Sequence, residues 1–310
     1  MTDTVNTNTH TDIKRLPWIE RHIPEEFRPY AYLARLDRPI GIWLLLLPGW
    51  WGIVLASGGF FGMSLYAWLV FILFGIGAIV MRAAGCVIND LWDRDLDKKV
   101  ERTKERPLAA GTVNAKQAMS FLAGLLTAGL LILLSMNRLT VILGIMTIPL
   151  IIAYPLMKRL TWWPQAFLGI TFNFGALMGY SAISGSIGIS SLLLYLGGIC
   201  WTLGYDTVYA HQDKEDDALA GIKSTALLFG SESGKWVKRF YELTTLLLVF
   251  AVLLTSGSLW TTILVLMASS HLLWQMTEWN PKDSASSLKI FRSNRDFGLL
   301  ILLALGFGNY

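Results

Sequence analysis

The chemistry of this chain concentrates in two acidic stretches. The first reads Asn89-Asp90-Leu91-Trp92-Asp93-Arg94-Asp95-Leu96-Asp97. On a helix, Asn89, Asp93 and Asp97 recur at i, i+4 and i+8, and Asp90 joins them through i+3 and i+7 spacings, so all four share one face. Asp95 points elsewhere. The second stretch runs from Asp206 through His211-Gln212-Asp213-Lys214-Glu215-Asp216-Asp217. There Asp213 and Asp217 are i, i+4, and Asp206 precedes Asp213 by seven. Glu215 or Asp216 replaces Asp217 if the register differs. Carboxylates this dense repel one another and need a cation. No histidine or cysteine set accompanies them, so the donors are all oxygen, which selects a hard ion such as Mg²⁺. Magnesium takes few protein ligands and shares itself with phosphate oxygens. Two such clusters suit a diphosphate held through Mg²⁺ bridges.

Basic residues lie close by in the sequence. Arg82 is two turns before Asn89 on the same face, inside an apolar run, where a cation is a functional candidate by default. A buried salt bridge with one of the aspartates is the alternative. Arg102, Lys104 and Arg106 follow the first cluster, as diphosphate contacts or as ordinary loop cations. Tyr154 and Lys158 are i, i+4, and the lysine can snorkel to an interface. Arg35 and Arg38 precede a helix start at Pro39, either as ligands or as determinants of topology.

The elements that carry these residues belong in a membrane. The chain is 54% hydrophobic and 15% charged, with a mean hydropathy of +0.49, against about 25% charge in a soluble domain. Its apolar runs approach the roughly 20 residues of a bilayer crossing. Nine spans are expected, near 39–56, 65–90, 116–136, 139–157, 163–184, 190–211, 237–256, 258–277 and 295–309. The fold class is therefore all-α: a polytopic helical bundle. Both acidic stretches close a span, the second four spans after the first, which suggests a weak parallel duplication. All but two of the 26 Lys and Arg, Arg82 and Arg138, fall on or beside one alternate set of loops. By the positive-inside rule, the N-terminus and these long loops, with the mouth of the site, are expected in the cytoplasm. The expected location is a bacterial inner membrane. Residues 1–28 are polar, with no secretory signal pattern, and 29–310 form one transmembrane domain. The net charge of +4 is spread over loops, which argues against nucleic acid. Two cysteines, Cys86 and Cys200, in apolar runs exclude a disulfide framework.

The stretch Asn89–Asp97 matches the NDxxDxxxD signature of UbiA-type intramembrane prenyltransferases, and Asp213 and Asp217 match their DxxxD signature. Arg35-Leu36-Asp37-Arg38-Pro39-Ile40-Gly41 and Arg102-Thr103-Lys104-Glu105-Arg106-Pro107-Leu108 also resemble that family. Arg292-Ser293-Asn294-Arg295-Asp296-Phe297-Gly298 resembles its 4-hydroxybenzoate branch. The resemblance covers roughly residues 30 to 308. It implies Mg²⁺ as cofactor, with a polyprenyl diphosphate donor, 4-hydroxybenzoate as acceptor, and a lateral opening to membrane lipids. It places the protein in ubiquinone biosynthesis. It also implies that Asn89, Asp90, Asp93, Asp97, Asp213 and Asp217 hold metal and diphosphate. Asp93, Asp97, Asp213 and Asp217 would serve the chemistry directly. Arg82, Arg102 and Lys158 match positions that contact diphosphate or acceptor. Arg82, Arg38, or Lys158 with Tyr154 remain open as the partner of the acceptor carboxylate. Other acceptors (menaquinone, haem O, chlorophyll or tocopherol branches) share both motifs. A metal-cation transporter would need its acids near midplane, and a phospholipid synthase would need a DG…AR motif that is missing.

Overall fold

The computed structural model describes residue 13 and residues 15–100, 103–212, 214 and 221–308, without the side chains of residues 96, 155 and 158. It is helical throughout: α1 Pro17–His22, α2 Arg28–Leu33, α3 Ile40–Ser57, α4 Leu65–Asp97, α5 Pro107–Ala110, α6 Ala115–Leu134, α7 Arg138–Leu160, α8 Pro164–Ser184, α9 Ile189–Ala210, α10 Thr225–Phe229, α11 Ser233–Ser256, α12 Leu259–Glu278 and α13 Ser284–Gly306. Among the described residues nine of these helices have 18 residues or more. Five are long and apolar enough to cross a membrane by length and composition alone: Ile40–Ser57, Leu65–Asp95, Ala115–Leu134, Pro164–Ser184 and Leu259–Glu278. Of the others, α11 carries Lys235, Lys238 and Arg239 ahead of its apolar stretch, and α13 carries Lys289, Arg292, Arg295 and Asp296 ahead of its own.

Two helices run further than the apolar pattern predicts. α4 continues through the acidic stretch to Asp97, giving 33 residues. At about 1.5 Å per residue that is roughly 50 Å, against a hydrocarbon core of about 30 Å. The last turns carry the carboxylates past the helix's own apolar stretch. α13 begins at Ser284, well before the expected 295, because Asp283 caps it by accepting from the amides of Ala285 and Ser286.

The chain divides into two compact units, one comprising the chain to Ile42 with Gly77–Leu131, the other Trp43–Ile76 with Ile132 onward. In the first, Leu33, Val87, Leu108, Val113 and Ala118 form a buried core flanked by Tyr30, Leu91 and Phe121. This core fixes the rotation of α4. Val87 and Leu91 are committed to it, so the face bearing Arg82, Asn89, Asp93 and Asp97 turns the other way.

In the second unit α9 packs against α8, α11 and α13. Trp51, Trp201 and Phe297 stack at its centre, with ring centroids 5.1 Å apart for the tryptophans and 5.4 Å from Trp201 to Phe297. Their polar edges are satisfied: Trp51 Nε1 donates to the Gly298 carbonyl at 2.9 Å and Trp201 Nε1 to Asn294 Oδ1 at 2.7 Å. α3 and α8 meet backbone to backbone. A Cβ on Gly52 would fall 2.3 Å from the Ala176 carbonyl, and one on Gly179 would fall 2.2 Å from that of Gly49.

Candidate active site

The acidic face of α4 is bordered by arginines. Asp90 is 2% exposed. Arg35 Nη2 reaches both of its oxygens, at 2.7 and 2.9 Å, and Arg106 Nη1 approaches Oδ1 at 3.4 Å. Arg106 also donates to both oxygens of Asp97, at 3.1 and 3.0 Å. The loop after α4 is closed by Thr103, whose hydroxyl donates to the Asp97 carbonyl at 3.1 Å. Pro107 then starts α5, where its missing N–H costs nothing. Asn89 and Asp93 are half-buried on the same face. Asp95 is exposed and pairs with Arg94 and Lys98, as its position off that face predicts.

Arg82 has a shaped seat. A Cβ on Gly41 would lie 2.5 Å from Arg82 Nε and 3.0 Å from Cζ and Nη2, so the guanidinium lies across the first turn of α3 where only glycine leaves room. Arg38 Nε donates to Asp37 Oδ2 at 3.2 Å, and Asp37 is 3% exposed. Arg102 lies outside the described residues.

In the second unit, Asp206 is half-buried near the end of α9. Asp213, Glu215, Asp216 and Asp217 lie outside the described residues. The ends of their segment are fastened. The hydroxyls of Thr207 and Thr225 pair at 2.7 Å, and Gln165 Oε1 accepts from the Thr225 amide at 3.0 Å. His211 Nδ1 faces the Pro281 carbonyl at 3.2 Å; a carbonyl only accepts, so this nitrogen carries the proton. The ring stands edge-on to Trp279, with centroids 5.2 Å apart. Tyr154 is half-buried in the last turns of α7, and Lys158 follows one turn later with its side chain outside the described set.

Sequence reasoning gave no role to Gly41, Gln165, Thr207, Thr225 or His211, and did not foresee that Arg35 and Arg106 would pair with Asp90 and Asp97. Charge spacing shows which residues attract, but not which reach each other through a loop.

Among the described residues no three His, Cys, Asp or Glu side chains converge into a metal cage. The donor set on α4, an amide and carboxylates on one face, is all oxygen.

These features coincide with one family. The sequence model of the UbiA prenyltransferase family matches residues 45–301, and the chain belongs to that family. It is 46% identical over 297 residues to the mitochondrial 4-hydroxybenzoate polyprenyltransferase of Arabidopsis thaliana, covering 96% of this chain and 72% of that one. It is 47% identical over 288 residues to the Bos taurus protein of the same name, covering 92% and 76%. It is 46% identical over 297 residues to 4-hydroxybenzoate geranyltransferase 1 of Lithospermum erythrorhizon, covering 95% of each. Among solved structures, a UbiA homolog from Archaeoglobus fulgidus bound to GPP and Mg²⁺ superposes with a TM-score of 0.67 at 18% identity, over 90% of this chain and 98% of that one. The apo UbiA homolog from Aeropyrum pernix K1 gives 0.67 at 21% identity, over 85% and 95%. The all-helical membrane fold expected from the sequence is the family's fold.

Proposed function

We infer that the protein is a membrane prenyltransferase that moves a polyprenyl group from its diphosphate to the 3-position of 4-hydroxybenzoate, releasing diphosphate, in ubiquinone biosynthesis. The observation that carries this reading is the likeness to 4-hydroxybenzoate enzymes at 46–47% identity over more than nine-tenths of the chain. That likeness comes together with an acidic helix end bordered by arginines.

The physical division of labour follows from the substrates. A polyprenyl tail belongs in lipid and a diphosphate does not, so the diphosphate site belongs where α4 leaves the apolar layer. Asn89, Asp93 and Asp97, with Asp213 and Asp217 from the second motif, are assigned to hold Mg²⁺ and through it the diphosphate. When bound, the ion stabilises the negative charge that grows on the leaving diphosphate. Arg82, seated over Gly41, contributes a fixed positive charge on the same face of α4. Arg102 and Lys158 are assigned to the diphosphate or the acceptor, and Tyr154 and Arg38 to the acceptor. As the allylic C–O bond breaks, the ring carbon ortho to the phenolic hydroxyl attacks, and a carboxylate or the departing diphosphate takes the ring proton. The site must exclude water, which would otherwise capture the allylic cation. The loops expected at 91–115 and 212–236 are assigned as its covers. The charge asymmetry of the loops supports an N-terminus and site mouth on the cytoplasmic side of the membrane.

The test is product formation by the purified protein from polyprenyl diphosphate and 4-hydroxybenzoate, with Mg²⁺ or with EDTA. Metal-dependent 3-polyprenyl-4-hydroxybenzoate is expected. Prenylation of a different aromatic acceptor alone would move the protein to another branch, and no turnover of any prenyl diphosphate would refute the reading.

A further inference from the structure

Asp90 sits within the NDxxDxxxD run, and its residue type and spacing make it a fourth metal donor. Its surroundings point to a different task. Magnesium binds oxygen at about 2.0–2.1 Å in a near-ideal octahedron and gives up water reluctantly. Asp90 offers such an ion little access, because it is 2% exposed and both oxygens accept from Arg35 at 2.7 and 2.9 Å. A second guanidinium, that of Arg106, stands 3.4 Å from Oδ1. A divalent cation arriving there would meet two positive charges. Asp97, 6% exposed, differs in that its oxygens accept from one guanidinium, that of Arg106, at the longer 3.1 and 3.0 Å.

Arg35 is built for this contact. It is the one non-glycine among the described residues with a positive φ, at 57°. In that region the side chain crowds its own backbone, at a cost tolerated where surrounding structure demands it. The turn is held on both sides: the Arg35 amide donates to the Tyr32 carbonyl at 3.0 Å, and the Arg38 amide donates to the Arg35 carbonyl at 3.0 Å. The guanidinium is held at both ends as well, with Nη1 donating to the Tyr32 carbonyl at 3.1 Å and Nη2 on Asp90. The side chain is 10% exposed. A left-handed backbone thus aims a buried arginine from the α2–α3 turn into α4.

We propose that Asp90 is a positioning residue and not a metal ligand. It is the counter-ion through which Arg35 and Arg106 tie the α2–α3 turn and the Thr103–Arg106 turn to α4, fixing the face that presents Asn89, Asp93 and Asp97. The proposal rests on the magnesium reading for what that face presents, and on the ion pair alone for the strut itself. Breaking a buried pair by removing one partner leaves an uncompensated charge, whereas removing both is far milder. A ligand behaves differently, since its loss weakens metal binding whatever becomes of Arg35.

The experiment is a cycle of D90N, R35M and R35M/D90N in the full-length protein, purified in detergent. It reads Mn²⁺ affinity by electron paramagnetic resonance and unfolding by temperature, with D93N as the ligand control. Each single variant should lower Tm by about 5–10 °C and weaken Mn²⁺ about tenfold, as loss of an outer support does. The double variant should regain most of the lost Tm and bind Mn²⁺ within about threefold of the unmodified protein. If D90N weakens Mn²⁺ by the same factor with Met at 35 as with Arg, Asp90 is a ligand and the proposal is overturned. If neither the unmodified protein nor D93N binds Mn²⁺, the magnesium reading fails on its own. The thermal cycle still decides the strut: additive losses sink it, and recovery in the double variant sustains it.

Discussion

Gly41→Ala is the smallest change expected to separate activity from stability in this protein. The added methyl would stand 2.5 Å from Arg82 Nε, whereas a carbon–nitrogen contact needs roughly 3.5 Å. The guanidinium must therefore retreat by about 1 Å. It is the far end of a flexible side chain, so the retreat costs the fold little. An alanine in the first turn of α3 is also favoured over glycine by as much as about 1 kcal/mol. Misplacing a group that works on a developing charge by that distance costs up to about 100-fold in rate. The expected result is a Tm unchanged or slightly raised and a kcat reduced about 10- to 100-fold, with a smaller change in KM for the prenyl diphosphate. The assay is steady-state prenylation of 4-hydroxybenzoate beside a thermal scan of the same preparation. A kcat within about twofold of the unmodified protein would refute the assignment of Arg82 to the reacting charge in the place where the structure seats it.

Four further outcomes are expected. EDTA should abolish turnover while leaving the thermal transition nearly in place, because the ion is assigned to the diphosphate and not to the packing of the helices; activity assays and calorimetry on one sample check this. Thr207→Val breaks the buried hydroxyl pair with Thr225. It should cost about 1–3 kcal/mol and raise the Mg²⁺ concentration needed for half-maximal rate, through loosening of the segment that carries Asp213; a magnesium titration reads it. Asn294→Leu strands the Trp201 indole N–H in a buried setting and should lower stability by a similar amount, seen as a fall in Tm. Tyr32, outside the membrane, has its pKa pushed up to about 12 by burial and by the hydrogen bond it donates to Glu20. A raised pKa favours the neutral phenol in the folded state. Its stabilisation is therefore complete below about pH 10 and lost as pH rises through 12, and Tyr32→Phe should flatten that slope in alkaline unfolding.

The all-helical architecture was readable because apolar runs of bilayer length leave little choice of conformation. Their ends were harder. α4 outlasts its apolar stretch because an acidic segment at helical spacing is still helix-compatible once it leaves the lipid. α13 starts early because a single cap at Asp283 outweighs the charges that follow. Within the site, Asn89, Asp93 and Asp97 were legible from a spacing that puts them on one face. The pairing of Arg35 with Asp90 was not, since residues 55 positions apart meet only through the turn that sets Arg35 at positive φ. The seat of Arg82 over Gly41 left no mark beyond the glycine itself. Thr207 and Thr225 look like any threonines in a sequence, and only the fold shows that their hydroxyls meet.

The glycine seam between α3 and α8 bears on how the chain is made. Helices already in lipid gain nothing from leaving water, so close packing has to hold them together. Gly52 therefore finds its complement, the backbone at Ala176, only when α8 has entered the bilayer, roughly 125 residues later in the chain. At about 5–20 residues per second, α3 spends on the order of 6–25 s inserted beside lipid before its partner helix arrives. During that interval its small-residue face is open to any other helix in the membrane, and a substitution that enlarges Gly52 would act on biogenesis before it acted on the finished enzyme.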